Sequence, residues 1–307
     1  MTSVLITGAS GMVGSNVLDY LLDRTDWTFT CLCSWRHRGS PLHIVPNQRV
    51  TVVTHDLTGP IPEVGTFDYI LHLASESHVD RAIADPVGVI ENNVSSTLQI
   101  LEYARSHVPQ AFLLFSSDEV YGTREHDEWD LLLPSNPYAA SKAAAEVISL
   151  AYWRTYGVPL IITNSNNIVG RNQHAEKFVP KVASLVRAGL TVPIHTSSGV
   201  LGKRFYNPVR NVADALLFIL EQLVPSTTAA LPYRFNIPGG SEMDNLEMAQ
   251  LIADTIGLPL HYELVDVADV RPGYDTSYAQ TNGVLIGHGW YPPVTLREGL
   301  AWLRSTS

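Results

Sequence analysis

The chain has 307 residues, of which 45% are hydrophobic and 16% are charged, and its formal net charge is −10. Such a composition is ordinary for a globular protein with one large domain or two closely joined ones, and it excludes an intrinsically disordered chain. An acidic chain without a block of basic residues is a poor candidate for nucleic-acid binding, because neutralising phosphates needs clustered cations.

Neither a membrane location nor a metal site is expected. No run is long and apolar enough to span a bilayer, and the N-terminus lacks the basic region of a signal peptide, so the cytoplasm is the expected compartment. Cys31 and Cys33 are the only cysteines. We interpret them as buried packing on one strand face; a metal or redox site is the lesser alternative, because no further cysteine could complete it.

Strand and helix patterns alternate in the first half of the chain. Short apolar runs predict strands at Val4–Thr7, Phe29–Cys33, Val50–Thr54, Tyr69–Leu73, Phe112–Phe115 and Pro159–Thr163. Helical spacing predicts helices just after Gly8, at Val87–Arg105 and at Ala139–Tyr156. Strands that are apolar throughout and alternate with helices predict a Rossmann-type α/β fold, whose doubly wound parallel sheet is covered on both faces.

The pattern changes after about residue 166, where prolines and turn residues increase. Further helices are predicted at Lys177–Ala188, Asn211–Gln222 and Asn245–Ile256. We expect a first domain over residues 1–165 and a smaller C-terminal substrate-binding cap over residues 166–307. The two are expected to interleave in part, because the run Tyr233–Ile237 is a candidate strand of the main sheet.

Three glycines separate the first strand from the first helix. A dinucleotide needs such a loop, because the turn is tight, the backbone approaches the pyrophosphate and the helix N-terminus faces its negative charge. A purely structural glycine turn is the alternative, but the position between strand and helix favours the cofactor and makes residues 1–165 the dinucleotide-binding domain. The predicted contacts in this loop are Gly8, Ser10, Gly11, Met12 and Val13.

The end of the second strand bears on the choice between NADP and NAD. An acid there would bind the ribose 2′-hydroxyl of NAD, but the chain has Ser34, Arg36 and Arg38 instead. A hydroxyl and two arginines suit a 2′-phosphate, so NADP is favoured, with NAD as the alternative and solvated loop arginines as the other interpretation. Asp56, after the third strand, is a candidate adenine contact, although a turn-capping role is equally consistent.

Tyr138 and Lys142 lie four residues apart at the start of a predicted helix, and this spacing places both on one face. A free phenol is a poor base at neutral pH, but an adjacent ammonium and a cationic nicotinamide favour the phenolate. The tyrosine could then remove a proton from a sugar alcohol while hydride leaves to the cofactor. Ser117, at the end of a strand, would hydrogen-bond the same hydroxyl.

At this point the sequence resembles the extended short-chain dehydrogenase/reductases, and among them the nucleotide-sugar 4,6-dehydratases. The most specific match is Ser116-Ser117-Asp118-Glu119-Val120-Tyr121-Gly122. The other matching segments follow in the family's order: Thr7–Gly14, His72–Arg81, Asn136–Lys142, Asn167–Gly170, Glu176–Pro180 and Arg271–Asp275.

The resemblance implies an elimination of water by two neighbouring acids. Oxidation at C4 of the sugar would acidify the C5 proton, which Glu119 would take as general base. Asp118, protonated, would donate to the departing C6 hydroxyl, and the hydride would return to C6 to give a 4-keto-6-deoxy sugar. Crowding and burial can keep one carboxyl neutral beside an ionised neighbour. A solvated turn is the alternative for an arbitrary Asp-Glu pair.

The resemblance also implies contacts outside these motifs. Phe205 and Tyr274 replace the family's acid and histidine near the diphosphate, which puts the nucleotide in question. The further cofactor contacts implied are Leu57, Leu73, Ala74 and Ser75, and the substrate contacts implied are Glu76, Ser77, Asn167, Lys177, Arg204 and Arg271.

Two other functions share much of this pattern. A nucleotide-sugar 4-epimerase would use Tyr138 and Lys142 without needing the acid pair. A non-catalytic NAD(P)-binding protein is disfavoured, because the Tyr-x-x-x-Lys motif is intact. The long helices Val87–Arg105 and Ala139–Tyr156 suggest a homodimer with a four-helix interface, unless their apolar faces are fully used against the sheet.

Overall fold

The computed structural model describes residues 1–34, 43–122, 125–224, 233–240, 242–266, 279–281 and 283–305. The strands are β1 (Ser3–Thr7), β2 (Thr28–Cys33), β3 (Val50–Thr54), β4 (Tyr69–His72), β5 (Ala111–Ser117), β6 (Glu125–His126), β7 (Leu160–Ser165), β8 (Asn167–Val169), β9 (Val192–Ser197), β10 (Val200–Leu201), β11 (Lys203–Pro208), β12 (Tyr233–Ile237), β13 (Glu242–Asp244), β14 (Tyr262–Asp266) and β15 (Ala279–Gln280).

Nine α-helices connect and cover these strands in the described part of the chain. They are α1 (Met12–Arg24), α2 (Val79–Ala84), α3 (Pro86–Ser106), α4 (Pro137–Tyr156), α5 (Phe178–Arg187), α6 (Val209–Phe218), α7 (Asn245–Ile256), α8 (Gly283–Gly287) and α9 (Leu296–Gly299). None of the described helices is both long and apolar enough to cross a membrane.

A seven-stranded parallel sheet forms the centre, with strand order β12-β7-β5-β4-β1-β2-β3. This order confirms the predicted doubly wound fold. The chain builds outward in one direction from β1 to β3 and in the other from β4 to β12, so the order reverses between β1 and β4. A crevice opens at such a reversal, beyond the carboxyl ends of the strands, and ligands of this fold class bind there.

The two faces of the sheet have separate apolar cores. Successive strand residues point to opposite faces, so Val4 and Ile6 of β1 pack against α1 and α6, whereas Leu5 packs on the side of α3 and α4. The same alternation divides the residues of β5. Because both faces are covered, the inner strands β4, β5 and β7 are buried along their whole length, as expected for a sheet with helices on both sides.

The C-terminal part contributes to both the sheet and a smaller layer. Strand β12 joins the central sheet through Tyr233, which pairs with Ile161 of β7. Strands β9, β10 and β14 form one small sheet, and β8, β11 and β13 another. Helices α5 and α7 share a third apolar core with residues of these strands. The division at residues 165 and 166 stays a prediction.

Candidate functional site

One cavity of about 980 Å³ runs along the carboxyl ends of the central strands. Arg36, Arg38 and Arg271 lie outside the described residues, so the structure does not place these three predicted contacts. The structure brings every other predicted site residue to the wall of this cavity: Gly8, Ser10, Gly11, Met12, Val13, Ser34, Asp56, Leu57, Leu73, Ala74, Ser75, Glu76, Ser77, Ser117, Asp118, Glu119, Tyr138, Lys142, Asn167, Lys177 and Arg204.

Two glycines of the cofactor loop lie where a side chain does not fit. Gly8 has a φ of +72°, and a Cβ there would lie 2.7 Å from the Cα of Ala74. A Cβ on Gly14 would lie 2.2 Å from the carbonyl oxygen of Gly8. Gly11 is the N-cap of α1 and carries no side-chain acceptor, and the first turn holds no acid. The first N–H groups of α1 therefore remain available to an anion, which fits a dinucleotide pyrophosphate.

We predict that Gly14→Ala weakens dinucleotide binding at least tenfold and lowers the free energy of unfolding by about 1–3 kcal/mol. The added methyl meets backbone atoms of Gly8 and Ala9, so the loop must move away from its packed position. Titration of the dinucleotide by calorimetry and urea denaturation measure both effects. Gly287→Ala is the matched control, because nothing lies within 4 Å of its added Cβ; equal losses in both variants would contradict the prediction.

Helix α4 carries the Tyr-Lys pair. The side chain of Asn136 caps the helix by accepting from the backbone N–H of Ala139, and Pro137 occupies the first turn. This start places Tyr138 and Lys142, both buried, one turn apart at the cavity. The Lys142 Nζ donates to the carbonyl oxygen of Phe115 at 2.6 Å, and the Tyr138 hydroxyl is hydrogen-bonded to Ser117.

The protein groups around Tyr138 raise the pKa of its phenol, whereas the sequence argument expected neighbouring positive charge to lower it. Burial raises the pKa of this phenol above its ordinary value, the carboxylate of Glu119 raises it further, and the hydrogen bond with Ser117 opposes the rise. The ammonium of Lys142 is engaged by a backbone carbonyl. The groups that raise the pKa of Tyr138 therefore keep the phenol protonated, and the phenolate needs the positive charge that the sequence argument expected of Lys142 and of a bound nicotinamide.

The acid pair lies in a short 3₁₀ turn, Asp118–Tyr121, directly after β5. The Asp118 Oδ2 accepts from the Asn166 side-chain amide at 2.9 Å, and its Oδ1 accepts from the Ser117 hydroxyl at 3.1 Å. The Glu119 Oε2 accepts from the Asn136 side-chain amide at 2.9 Å. Both carboxyls line the cavity, so the solvated-turn interpretation does not describe this pair.

Burial raises the pKa values of both carboxyls toward neutral pH. It raises the pKa of Asp118 to about 6, against the opposing hydrogen bonds from Asn166 and Ser117. It raises the pKa of Glu119 to about 7, and the charge of Asp118 adds to this rise. One proton can therefore remain on the pair near neutral pH, as the elimination requires. In two carboxyls that interact this closely the shared proton belongs to the pair, so the assignment of Asp118 as the acid and of Glu119 as the base stays a prediction.

We predict that Glu119→Gln stabilises the fold more at about pH 8 than at about pH 5. The folded pKa, about 7, lies above the ordinary 4.5. Below pH 4.5 the ionisation of Glu119 therefore costs the fold no stability. The cost grows between pH 4.5 and about 7, and above about pH 7 it is complete. Urea denaturation at both pH values measures the difference. Glu102→Gln is the control without such a trend, because the pKa of Glu102 is lowered; equal stabilisation at both pH values would refute the prediction.

Two asparagines that orient the acid pair were not identified from the sequence. Asn166 donates to Asp118 and accepts from the backbone N–H of Gly239. Asn136 both caps α4 and donates to Glu119. The position of Asn136 directly before Pro137 and Tyr138 is a helix-start signal that could have identified it. Asn166 gave no local signal, because its partners are distant in sequence.

Three of the predicted substrate contacts, Lys177, Asn167 and Arg204, line the cavity from elements that follow β7 in the chain. The Lys177 Nζ donates to the carbonyl oxygen of Ser77 at 2.7 Å. Asn167 lies on β8 and Arg204 on the neighbouring strand β11. The charges of Lys177 and Arg204 both lower the pKa of Glu119. This part of the cavity therefore concentrates positive charge in an otherwise acidic chain, which suits a phosphorylated ligand. The described residues contain no cluster of three or more potential metal ligands.

Comparisons with known proteins agree with this geometry. The family model described as "NAD dependent epimerase/dehydratase family" matches residues 4–237. The chain is 31% identical to the low-salt glycan biosynthesis protein Agl12 of Haloferax volcanii, over 97% of this chain and 96% of that protein. It is 31% identical to a dTDP-glucose 4,6-dehydratase of Streptomyces antibioticus, over 97% and 90% of the two chains.

A solved structure is similar over nearly the whole chain. It is DesIV, a dTDP-glucose 4,6-dehydratase from Streptomyces venezuelae, crystallised with NAD and TYD bound. The TM-score is 0.88 at 29% identity, and the superposition covers 99% of this chain and 96% of that one.

Proposed function

The chain belongs to the NAD dependent epimerase/dehydratase family, and we propose that it acts there as a nucleotide-sugar 4,6-dehydratase. The observation that carries the proposal is the Asp118-Glu119 pair, a buried and a partly buried carboxyl in the same cavity as Tyr138, Lys142 and the glycine loop. Family membership confirms the resemblance and the predicted class of enzyme, a nicotinamide-dependent sugar-nucleotide hydro-lyase.

The oxidation step uses Tyr138 and Lys142 on helix α4. When a nicotinamide dinucleotide is bound, its ring supplies the acceptor for hydride from C4 of the sugar and the donor that later returns hydride to C6. Tyr138 takes the proton of the C4 hydroxyl, and Ser117 holds that hydroxyl by a hydrogen bond. Lys142, fixed by the carbonyl of Phe115, contributes a positive charge beside the phenol.

The elimination step uses the acid pair. The 4-ketone makes the C5 proton acidic, and Glu119 removes it as an ionised base; the charges of Lys177 and Arg204 favour that ionised form. Asp118 donates a proton to the C6 hydroxyl, which leaves as water. The C5–C6 double bond that remains would take the returned hydride at C6 and the proton from Glu119 at C5, so the product is a nucleotide 4-keto-6-deoxyhexose and no external reductant is consumed.

Mass spectrometry of products from a panel of dTDP-, UDP-, GDP- and CDP-hexoses tests the function. At least one substrate should give a product lighter by one water, and the preferred nucleotide identifies the base. If none of the panel loses water while one is converted to an isomer of the same mass, the chain is an epimerase instead. An epimerase uses Tyr138 and Lys142 in the same way but has no step for two acids.

The preference for NADP remains a proposal. Ser34 lines the cavity at the end of β2, and no acid stands at this point of the strand. The two arginines that follow in the sequence, Arg36 and Arg38, would suit a 2′-phosphate. Calorimetric titration with NADP and NAD tests the preference. Tighter binding of NAD, the dinucleotide bound to DesIV, would overturn it.

A homodimer through α3 and α4 is also proposed. These two helices pack together, and their outer faces expose apolar side chains: Val87 is 65%, Ile90 38%, Leu98 37% and Val147 58% exposed. A second copy of the same surface would bury them in a four-helix interface.

We predict that Val147→Glu converts the dimer to monomers, because the carboxylate would be buried without a partner between the subunits. Sedimentation velocity at micromolar protein measures the change. Val200→Glu is the matched control, since Val200 is 55% exposed on the hairpin of β9 and β10. A wild-type chain that sediments as a monomer, or a Val147→Glu dimer, would contradict the proposal.

A further inference from the structure

A buried ion pair lies behind the cavity, between helix α4 and strand β12. The Arg234 Nη2 and the Glu146 Oε2 are 2.6 Å apart, and their side chains are 3% and 0% exposed. Removing two charges from water is costly, and only good geometry with further hydrogen bonds offsets the cost. Glu146 lies on the same helix as Lys142 and one turn after it, so the pair is connected to the reacting groups as well as joining two elements.

Hydrogen bonds connect Glu146 to the catalytic strand. The side-chain amide of Asn164 donates to the Glu146 Oε1 at 2.7 Å and to the backbone oxygen of Ser117 at 3.0 Å. Asn164 lies on β7 and pairs with Ser116 in the sheet register. The side chain of Asn164 thus links Glu146 to the backbone of Ser117, the residue proposed to bind the reacting hydroxyl.

Glu146 also acts on Lys142, one helical turn earlier. Burial lowers the pKa of Lys142 to about 8, and the Glu146 carboxylate opposes this effect. Among the described residues, His72 at the end of β4 also interacts with the ammonium; its pKa is lowered to about 3 by burial first and by Lys142 second, so it is neutral. Glu146 is therefore the negative charge that supports the buried ammonium.

We propose that Glu146 is a positioning residue for the oxidation step: held by Arg234 and Asn164, it fixes the strand end that carries Ser117 and places a carboxylate one helical turn from Lys142. The proposal rests on the proposed function, in which Ser117 and Lys142 serve Tyr138. Arg234 belongs to β12, so the C-terminal part of the chain supplies the cation that allows this carboxylate to be buried.

The test is the titration of Lys142 in the full-length protein, followed by NMR of ¹³Cε-labelled lysine and assigned with Lys142→Met. Glu146→Gln retains an oxygen for Asn164 but removes the charge, and the double variant Glu146→Gln/Arg234→Gln also avoids an unpaired buried guanidinium. We expect the Lys142 midpoint to fall by about one pH unit in both variants. An unchanged midpoint in the double variant would overturn the proposal.

Asp214→Asn is the matched control. Asp214 accepts hydrogen bonds from Tyr20 and Trp290 on the other side of the sheet, so its loss should lower stability without moving the Lys142 midpoint. If the Lys142 midpoint shifted equally in Asp214→Asn, the shift would reflect a general loss of stability, and the proposal would be wrong.

Turnover provides the second measurement. A positioning role predicts that kcat falls at alkaline pH in the Glu146 variants while KM changes little. The NMR titration does not depend on turnover of a substrate. If the wild-type protein dehydrates no nucleotide-sugar, the proposed function is wrong. If the Lys142 midpoint does not move, only the role of Glu146 is wrong.

Discussion

Glu119→Gln should stop dehydration after the oxidation step, with a fall in turnover of about 10²–10⁴-fold. The amide keeps the size of the side chain and an oxygen for the bond from Asn136, but it cannot take the C5 proton. The 4-ketone then has no route forward, so reduced nicotinamide should accumulate on addition of the nucleotide-sugar. Its absorbance and the mass of the bound sugar measure the trapped state.

This variant also separates the two candidate enzymes. An epimerase needs no general base at C5, so it would retain turnover in Glu119→Gln and trap no reduced cofactor. Glu128→Gln is the matched control, because Glu128 is another buried carboxyl but does not line the cavity. Retained dehydration in Glu119→Gln would disprove the role of Glu119 as the base.

Tyr138→Phe should stop the same reaction one step earlier. Without the phenol oxygen, nothing accepts the proton of the C4 hydroxyl, so oxidation should slow by about 10²–10⁴-fold and no reduced nicotinamide should appear. Binding should persist, because the ring remains packed at the start of α4. Stopped-flow absorbance measures the oxidation, and equilibrium dialysis of the nucleotide-sugar measures the binding.

The contrast between the two variants is the sharper test. In Glu119→Gln we expect rapid oxidation without release of water. In Tyr138→Phe we expect neither oxidation nor release of water. Tyr20→Phe serves as the matched control, since its hydroxyl bonds Asp214 far from the cavity. If Tyr138→Phe still produced reduced nicotinamide at the wild-type rate, another group would have to remove the proton, and the assigned role of Tyr138 would be wrong.

Short-range patterns in the sequence determined the fold and the cofactor loop. Apolar runs separated by helical spacing required a parallel sheet covered on both faces, because each element must bury its apolar side. The three glycines predicted a tight turn with a closely approaching backbone, and the structure places backbone atoms 2.2 Å and 2.7 Å from the Cβ positions of Gly14 and Gly8. The four-residue spacing of Tyr138 and Lys142 fixed their common face.

The tertiary structure decided how charge is held at the site. Asn166 reaches Asp118 across 48 positions, and Arg234 reaches Glu146 across 88. Such contacts leave no local pattern, because they arise from the order of strands in the sheet. Burial itself, which raises the pKa values of both acids and of Tyr138 and lowers that of Lys142, is a property of the folded chain. The sequence by itself therefore determined which groups could react, and only the tertiary structure decided in which direction their pKa values shift, since that depends on desolvation and on partners distant in the chain.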